Sequence, residues 1–195
     1  MTDLRICFLG DSLTFGQGDE SGLGWPGRVV LSAQAAGVNL TGYNLGVRGD
    51  TGAQIALRAA AEVKGRFRSG DAKAVTIFFG ANDISLGLPL SDSLHPLRRL
   101  LDWAAGEGLK AFVLSPPRYR DSLTDALAES LTAAFDKICA ERGVAFLDLR
   151  DAGVDWDLWW AQAEAGDGIH PGGDAYASLA RVFSEWNAWR EWIGR

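Results

Sequence analysis

The stretch Leu4-Arg5-Ile6-Cys7-Phe8-Leu9-Gly10-Asp11-Ser12 begins with a short apolar run, stops at a glycine, and turns at once to a carboxylate and a hydroxyl. A run this continuous suits a strand buried on both faces, the habit of parallel sheets. Residues 74–79 repeat the pattern and stop at Gly80, residues 109–114 stop at Ser115-Pro116-Pro117, and residues 144–149 make a fourth run. Residues 39–45 are less apolar and read as an edge strand.

The gaps between these runs carry helical periodicity. Leu94, Leu97, Leu101 and Ala104 follow one face, as do Leu123, Leu127, Leu131, Phe135 and Ile138, and then Tyr176, Leu179, Val182, Phe183 and Trp186. Pro26 and Gly37 bracket another helix, and residues 51–64 make an alanine-rich one. Strands alternating with long helices imply an α/β fold in which helices cover both sides of a parallel sheet. The expectation is a three-layer αβα sandwich on five strands, one domain over residues 1–195. In such sheets ligands bind beyond the carboxyl ends of the strands.

The bulk numbers narrow the function classes. The 195 residues carry a formal net charge of −6, with no basic footprint for nucleic acid. No apolar run approaches the roughly 18 to 20 residues needed to span a bilayer, and no signal-peptide pattern precedes residue 6. Cys7 and Cys139 read as buried, reduced thiols, so the expected compartment is the cytoplasm.

Four segments could carry chemistry: Gly10-Asp11-Ser12-Leu13, residues 44–52 (NLGVRGDTG), Gly80-Ala81-Asn82-Asp83, and Asp167-Gly168-Ile169-His170-Pro171. Ser12 alone reads as a helix cap or turn residue, and Thr14 replaces the second glycine of a G-x-S-x-G elbow. A serine becomes a nucleophile only beside a base, and the two histidines are His95 and His170. His95 precedes Pro96 at an expected helix start, where surface capping suits it. His170 follows Asp167 by three residues, close enough for the carboxylate to fix one ring nitrogen while the other faces Ser12. The plainer reading makes Asp167 a helix cap with His170 in the first turn, and the two readings are compatible. Gly49 and Asn82 could supply oxyanion donors, or serve only as turn and cap residues.

Taken together and in order, these blocks resemble the SGNH hydrolase superfamily, also called GDSL esterases or lipases. Gly10-Asp11-Ser12-Leu13 matches the nucleophile block, Gly49 the glycine block, Gly80-Ala81-Asn82-Asp83 the G-x-N-D block, and Asp167-Gly168-Ile169-His170 the D-x-x-H block. The resemblance runs from residue 6 to about residue 180. It implies a flavodoxin-like sandwich, Ser12 as nucleophile, His170 as base and Asp167 as its orienting carboxylate. It also implies an oxyanion hole from the Ser12 and Gly49 N–H groups and the Asn82 amide, with no cofactor and no metal. Asp11 and Asp83 are assigned bracing roles.

Superfamily members with this framework cleave acyl esters, thioesters, lysophospholipids and acetylated sugars. The chain has no long insertion for a lid and no basic amphipathic segment, which favours small, soluble ester substrates. Trp156, Trp159 and Trp160 are candidates for the pocket wall, with packing expected to claim at least one of them. Arg118 and Tyr119 are further substrate candidates. Trp186, Trp189 and Trp192 form a second stripe, either core or a patch joining two copies in a homo-oligomer. The rival readings are a phosphate- or flavin-binding sandwich, a catalytically silent binding module, and a metal site from Asp167, His170 and Asp174. An adhesion reading of Arg48-Gly49-Asp50 is discounted.

Overall fold

The computed structural model describes residues 2–195. In chain order its elements are β1 (Leu4–Gly10), α1 (Ser12–Phe15), α2 (Gly24–Ala35), β2 (Leu40–Gly46), α3 (Gly52–Arg66), β3 (Ala72–Phe78) and α4 (Ala81–Ser85). Then come α5 (Leu90–Gly106), β4 (Lys110–Leu114), α6 (Ser122–Arg142), β5 (Ala145–Leu147), α7 (Trp156–Ala165), α8 (Gly173–Glu185) and α9 (Asn187–Trp192). All pairings are parallel and the strands lie in the order β2-β1-β3-β4-β5. This is the expected five-stranded sandwich.

Alternation along the buried strands sorts side chains into two cores. Leu4, Ile6 and Phe8 of β1 join Trp25 and Val29 of α2, Trp159 of α7 and Phe183 of α8. Cys7 and Leu9 point the other way, into Ile55 and Val63 of α3, Leu97 of α5 and Phe135 of α6. Each central strand thus reads as continuously apolar because both of its faces are covered. Trp189 is 1% exposed, and Trp186, Trp189 and Trp192 all pack against Phe112. Trp189 is thus core, with Trp186 and Trp192 partly buried against it. Both cysteines are free and buried, and burial pushes their thiols up to about 12.

The last strand is shorter than the apolar run 144–149. Ser115 N–H donates to Leu147 O at 3.0 Å, and the next position on that side is Pro117, which has no N–H to continue the ladder. Leu149 N–H turns instead to the Ser115 hydroxyl at 3.0 Å. His95 lies exposed inside α5 rather than at its start, because α5 already begins at Leu90, and Pro96 is carried within the helix. Among the described residues no helix is long and apolar enough to cross a membrane.

The chain leaves β1 for β2 on one side, then returns past β1 to β3 on the other. That reversal opens a crevice beyond the carboxyl ends of β1 and β3. Register aligns those ends, Gly10 with Gly46 and with Phe78. The loops that follow them carry Ser12, Gly49 and Asn82.

Candidate active site

Ser12 is the first residue of α1 and 7% exposed. The capping role considered for it belongs to Asp11, whose carboxylate accepts from Leu13 N–H at 2.9 Å. Ser12 is thereby left with a free hydroxyl facing the crevice. Its Oγ is 2.8 Å from Nε2 of His170, and Nδ1 of the same ring is 2.7 Å from Oδ2 of Asp167. The sequence separation across the first contact is 158 positions.

Residues 167–170 form an irregular turn, and α8 starts only at Gly173 with Gly172 as its cap. The expected Asp167 helix cap is therefore not there. Asp167 Oδ1 instead accepts from the N–H groups of Ile169 at 2.9 Å and His170 at 2.8 Å, a local turn that satisfies these donors without a helix. The hydrogen-bonded His170 ring and N–H hold the Asp167 carboxyl well below the usual carboxylate range, so it is ionised at neutral pH. An ionised carboxylate can only accept, which puts the ring proton of a neutral His170 on Nδ1. Nε2 is then an acceptor for the Ser12 hydroxyl.

Asn82, the second residue of α4, donates from Nδ2 to Asp50 O at 2.9 Å. A longer contact of 3.3 Å joins the same nitrogen to Asp11 Oδ2. Gly49 occupies the turn 47–50, closed by Asp50 N–H to Val47 O at 3.2 Å. Its φ of +80° requires a residue without a side chain, and a Cβ there would meet open space. Among the described residues neither Ser12 N–H nor Gly49 N–H has an intramolecular acceptor. Both acidic braces are buried: Asp83 accepts from Gly52 N–H at 3.0 Å and Ser93 Oγ at 2.9 Å, tying α3, α4 and α5 together. Burial raises the carboxyl of Asp83 and lifts that of Asp11 to about 7.

A cavity of about 580 Å³ opens over Ser12, Gly49, Asn82 and His170. Its far wall is Pro117, Tyr119, Trp159 and Trp160. Tyr119 and Trp160 lie 5.8 Å apart at 38°, and Trp160 Nε1 donates to Arg118 O at 3.1 Å. Arg118 is exposed and reaches the site only through that carbonyl, and Trp156 is taken up by packing on Trp159 at 5.3 Å. Neither side chain lines the cavity. Asp174 accepts from Gln162 Nε2 at 3.2 Å, and among the described residues it forms no metal-binding cluster with Asp167 and His170.

Three supports escaped the sequence reading. Arg58 of α3 binds Asp50 at 2.7 Å and the carbonyls of Leu45 at 2.8 Å and Gly10 at 2.9 Å, clamping the ends of β2 and β1. Tyr176 Oη donates to Gln17 O at 2.8 Å. Gly18, at φ +91°, lies so close to the His170 loop that a Cβ would be 2.5 Å from Pro171 O. All three act between distant segments, and no local pattern marks them.

The comparisons with known proteins follow this geometry. A family model described as the GDSL-like lipase/acylhydrolase family matches residues 8–177, while no curated protein matches the sequence. Among solved structures the chain is similar to the lipase/acylhydrolase from Enterococcus faecalis, at 26% identity over 98% of this chain and 96% of that one, with a TM-score of 0.76. It also resembles in fold the esterase EstA from a Pseudoalteromonas species (20% identity, 98% and 99% covered, TM-score 0.74). Axe2, an acetylxylan esterase from Geobacillus stearothermophilus, shares the fold as well (22% identity, 98% and 94% covered, TM-score 0.78). With one family model spanning most of the sequence and a sheet of the matching topology, the chain belongs to the GDSL-like lipase/acylhydrolase family and is a carboxylic ester hydrolase.

Proposed function

We propose that this enzyme hydrolyses small acyl esters through an acyl-enzyme on Ser12. The observation that carries the proposal is the unbroken chain Ser12 Oγ–His170–Asp167, with contacts of 2.8 Å and 2.7 Å. As Oγ bonds to the ester carbon, Nε2 of His170 takes its proton and the carbonyl electron pair moves onto oxygen. Asp167 keeps the ring oriented and offsets the positive charge it acquires. The oxyanion is met by the N–H groups of Ser12 and Gly49 and by the Asn82 amide. The second Asn82 N–H, whose only contact is the long one to Asp11, is free to turn to it. Collapse expels the alcohol, which leaves with the proton from His170. Water then repeats the sequence on the acyl-enzyme, giving up its proton to His170, and releases the acid and a free Ser12.

The cavity volume of about 580 Å³ falls within the usual small-molecule range, which supports short substrates. The Tyr119–Trp160 pair gives a second reading some support, an acetylated sugar stacked on those rings. Buried, unpaired Cys7 and Cys139 support a reducing, cytoplasmic setting.

A fluorophosphonate probe read by intact mass, alongside a panel of p-nitrophenyl esters, tests the assignment. Wild type is expected to take one adduct and Ser12→Ala none. Ser12→Ala and His170→Ala are each expected to lose about 10⁴-fold or more in kcat, with the double variant little worse. Labelling elsewhere, or turnover by Ser12→Ala, overturns the role of Ser12. A protein that neither labels nor hydrolyses any ester is the silent binding module.

A further inference from the structure

Arg48 stands in the turn 47–50 directly before Gly49, is exposed, and is among the residues that line the cavity. Among the described residues it is in no ion pair, a state it shares with seven other arginines, Arg118 among them, but of these eight it is the one that lines the cavity. The reason is local. Asp50, the nearest acid in sequence, is held by Arg58 at 2.7 Å, which also pairs with Glu62 at 3.1 Å. The other acids around the crevice are equally committed. Asp167 is bound to His170, Asp83 is buried under Gly52 N–H and Ser93, and Asp11 is 1% exposed beneath Leu13 N–H. In a chain of net charge −6, one uncompensated guanidinium thus remains within a side-chain length of the Gly49 N–H.

Sheet order gives the cavity a direction. Arg48 follows the edge strand β2, Ser12 follows β1, Asn82 follows β3, and Pro117 and Tyr119 follow β4. One end of the cavity is cationic, the other aromatic, and the reactive hydroxyl lies between them.

We propose that Arg48 is a specificity-determining residue that selects esters carrying a negative charge a few atoms from the scissile carbonyl. The inference rests on the assignment of this cavity as the ester site. A charge pair in a half-open cavity is screened by water, so the gain is modest, about five- to tenfold in kcat/KM.

Two matched pairs, each followed by acid release with Ser12→Ala as blank, distinguish where the charge lies. Monoethyl succinate against ethyl butyrate places it on the acyl arm, and 4-acetoxybenzoate against 4-acetoxybenzamide places it on the alcohol arm. The expected result is a five- to tenfold preference for the anion in one pair at low salt. That preference falls towards unity in 0.5 M NaCl and in Arg48→Gln, and survives in part in Arg48→Lys. The anionic preference is read as a ratio within each protein, so a general loss of activity does not mimic it. Ester hydrolysis with no anionic preference in either pair, or with a preference that Arg48→Gln leaves intact, overturns the role of Arg48 and spares the esterase reading. Absence of all ester hydrolysis overturns both.

Discussion

The two halves of the site are built differently. Ser12, Gly49 and Asn82 hang from the ends of adjacent strands, where Asp11, Asp83 and the Asp50–Arg58 pair fix every loop to its neighbour. His170 rides on an irregular turn with Asp167 exposed, and that turn is steadied by residues 17 and 18 through Tyr176 and a close backbone approach. Electrostatic stabilisation of an oxyanion needs donors that do not reorganise, and the sheet side provides that rigidity. The proposed proton carrier, His170, is mounted on a segment whose position depends on a remote loop. A change in the sheet half is therefore expected to act on the transition state. One in the turn half is expected to act through placement.

Asn82→Ala tests the first half and carries the larger effect of the two comparisons. Removing one oxyanion donor is expected to cost about 10²–10³ in kcat with little change in KM. A rise in KM at constant kcat would instead make Asn82 a ground-state binder. Gly18→Ala tests the second half. The positive φ and the clash with Pro171 O must push the His170 turn aside, and such misplacement is expected to cost about 10- to 100-fold in kcat. Full activity in a folded Gly18→Ala protein would show that the turn is positioned without residue 18. The fluorophosphonate reaction of Ser12 separates the cases, since it slows in Gly18→Ala only if His170 has moved.

The smallest effect concerns stability and the buried brace. The folded Asp11 carboxyl titrates near 7, against 3.8 as its ordinary value, so the folded state binds the extra proton between those limits. Its contribution to stability is then greatest below about pH 4 and declines as the pH rises towards 7. Asp125 behaves oppositely: Arg150 holds it at about 2, and its stabilisation is lost as pH falls from about 4 towards 2. Urea midpoints across this range are expected to fall less steeply towards neutral pH in Asp11→Asn than in wild type. Parallel profiles would mean that the Asp11 proton does not couple to folding.

What the sequence made legible follows from the same contrast. Buried strands announce themselves because both faces must be apolar, and each reactive block lies just after such a run or before the last long helix. The ladder's early stop at Leu147 was less legible, since it depends on Pro117, just past the end of the neighbouring strand. Helices α1 and α4, four and five residues long, are too short to show a period. Trp156, Trp159 and Trp160 share one helical face by spacing, yet Trp160 meets Tyr119 and Trp156 is spent on Trp159. Only the neighbours brought by β4 and α8 decide between them. Arg58, Tyr176 and Gly18 were invisible for a related reason, since each joins segments far apart in the chain.

The distance in sequence between Ser12 and His170 has a consequence for the making of the protein. The hydroxyl and the imidazole stand 158 positions apart, so a nascent chain carries the proposed nucleophile without its proposed base for all of that length. On the proposed mechanism such a chain is expected to hydrolyse no ester until the turn bearing His170 has docked against α1, and a fragment that stops short of residue 170 is expected to be inactive.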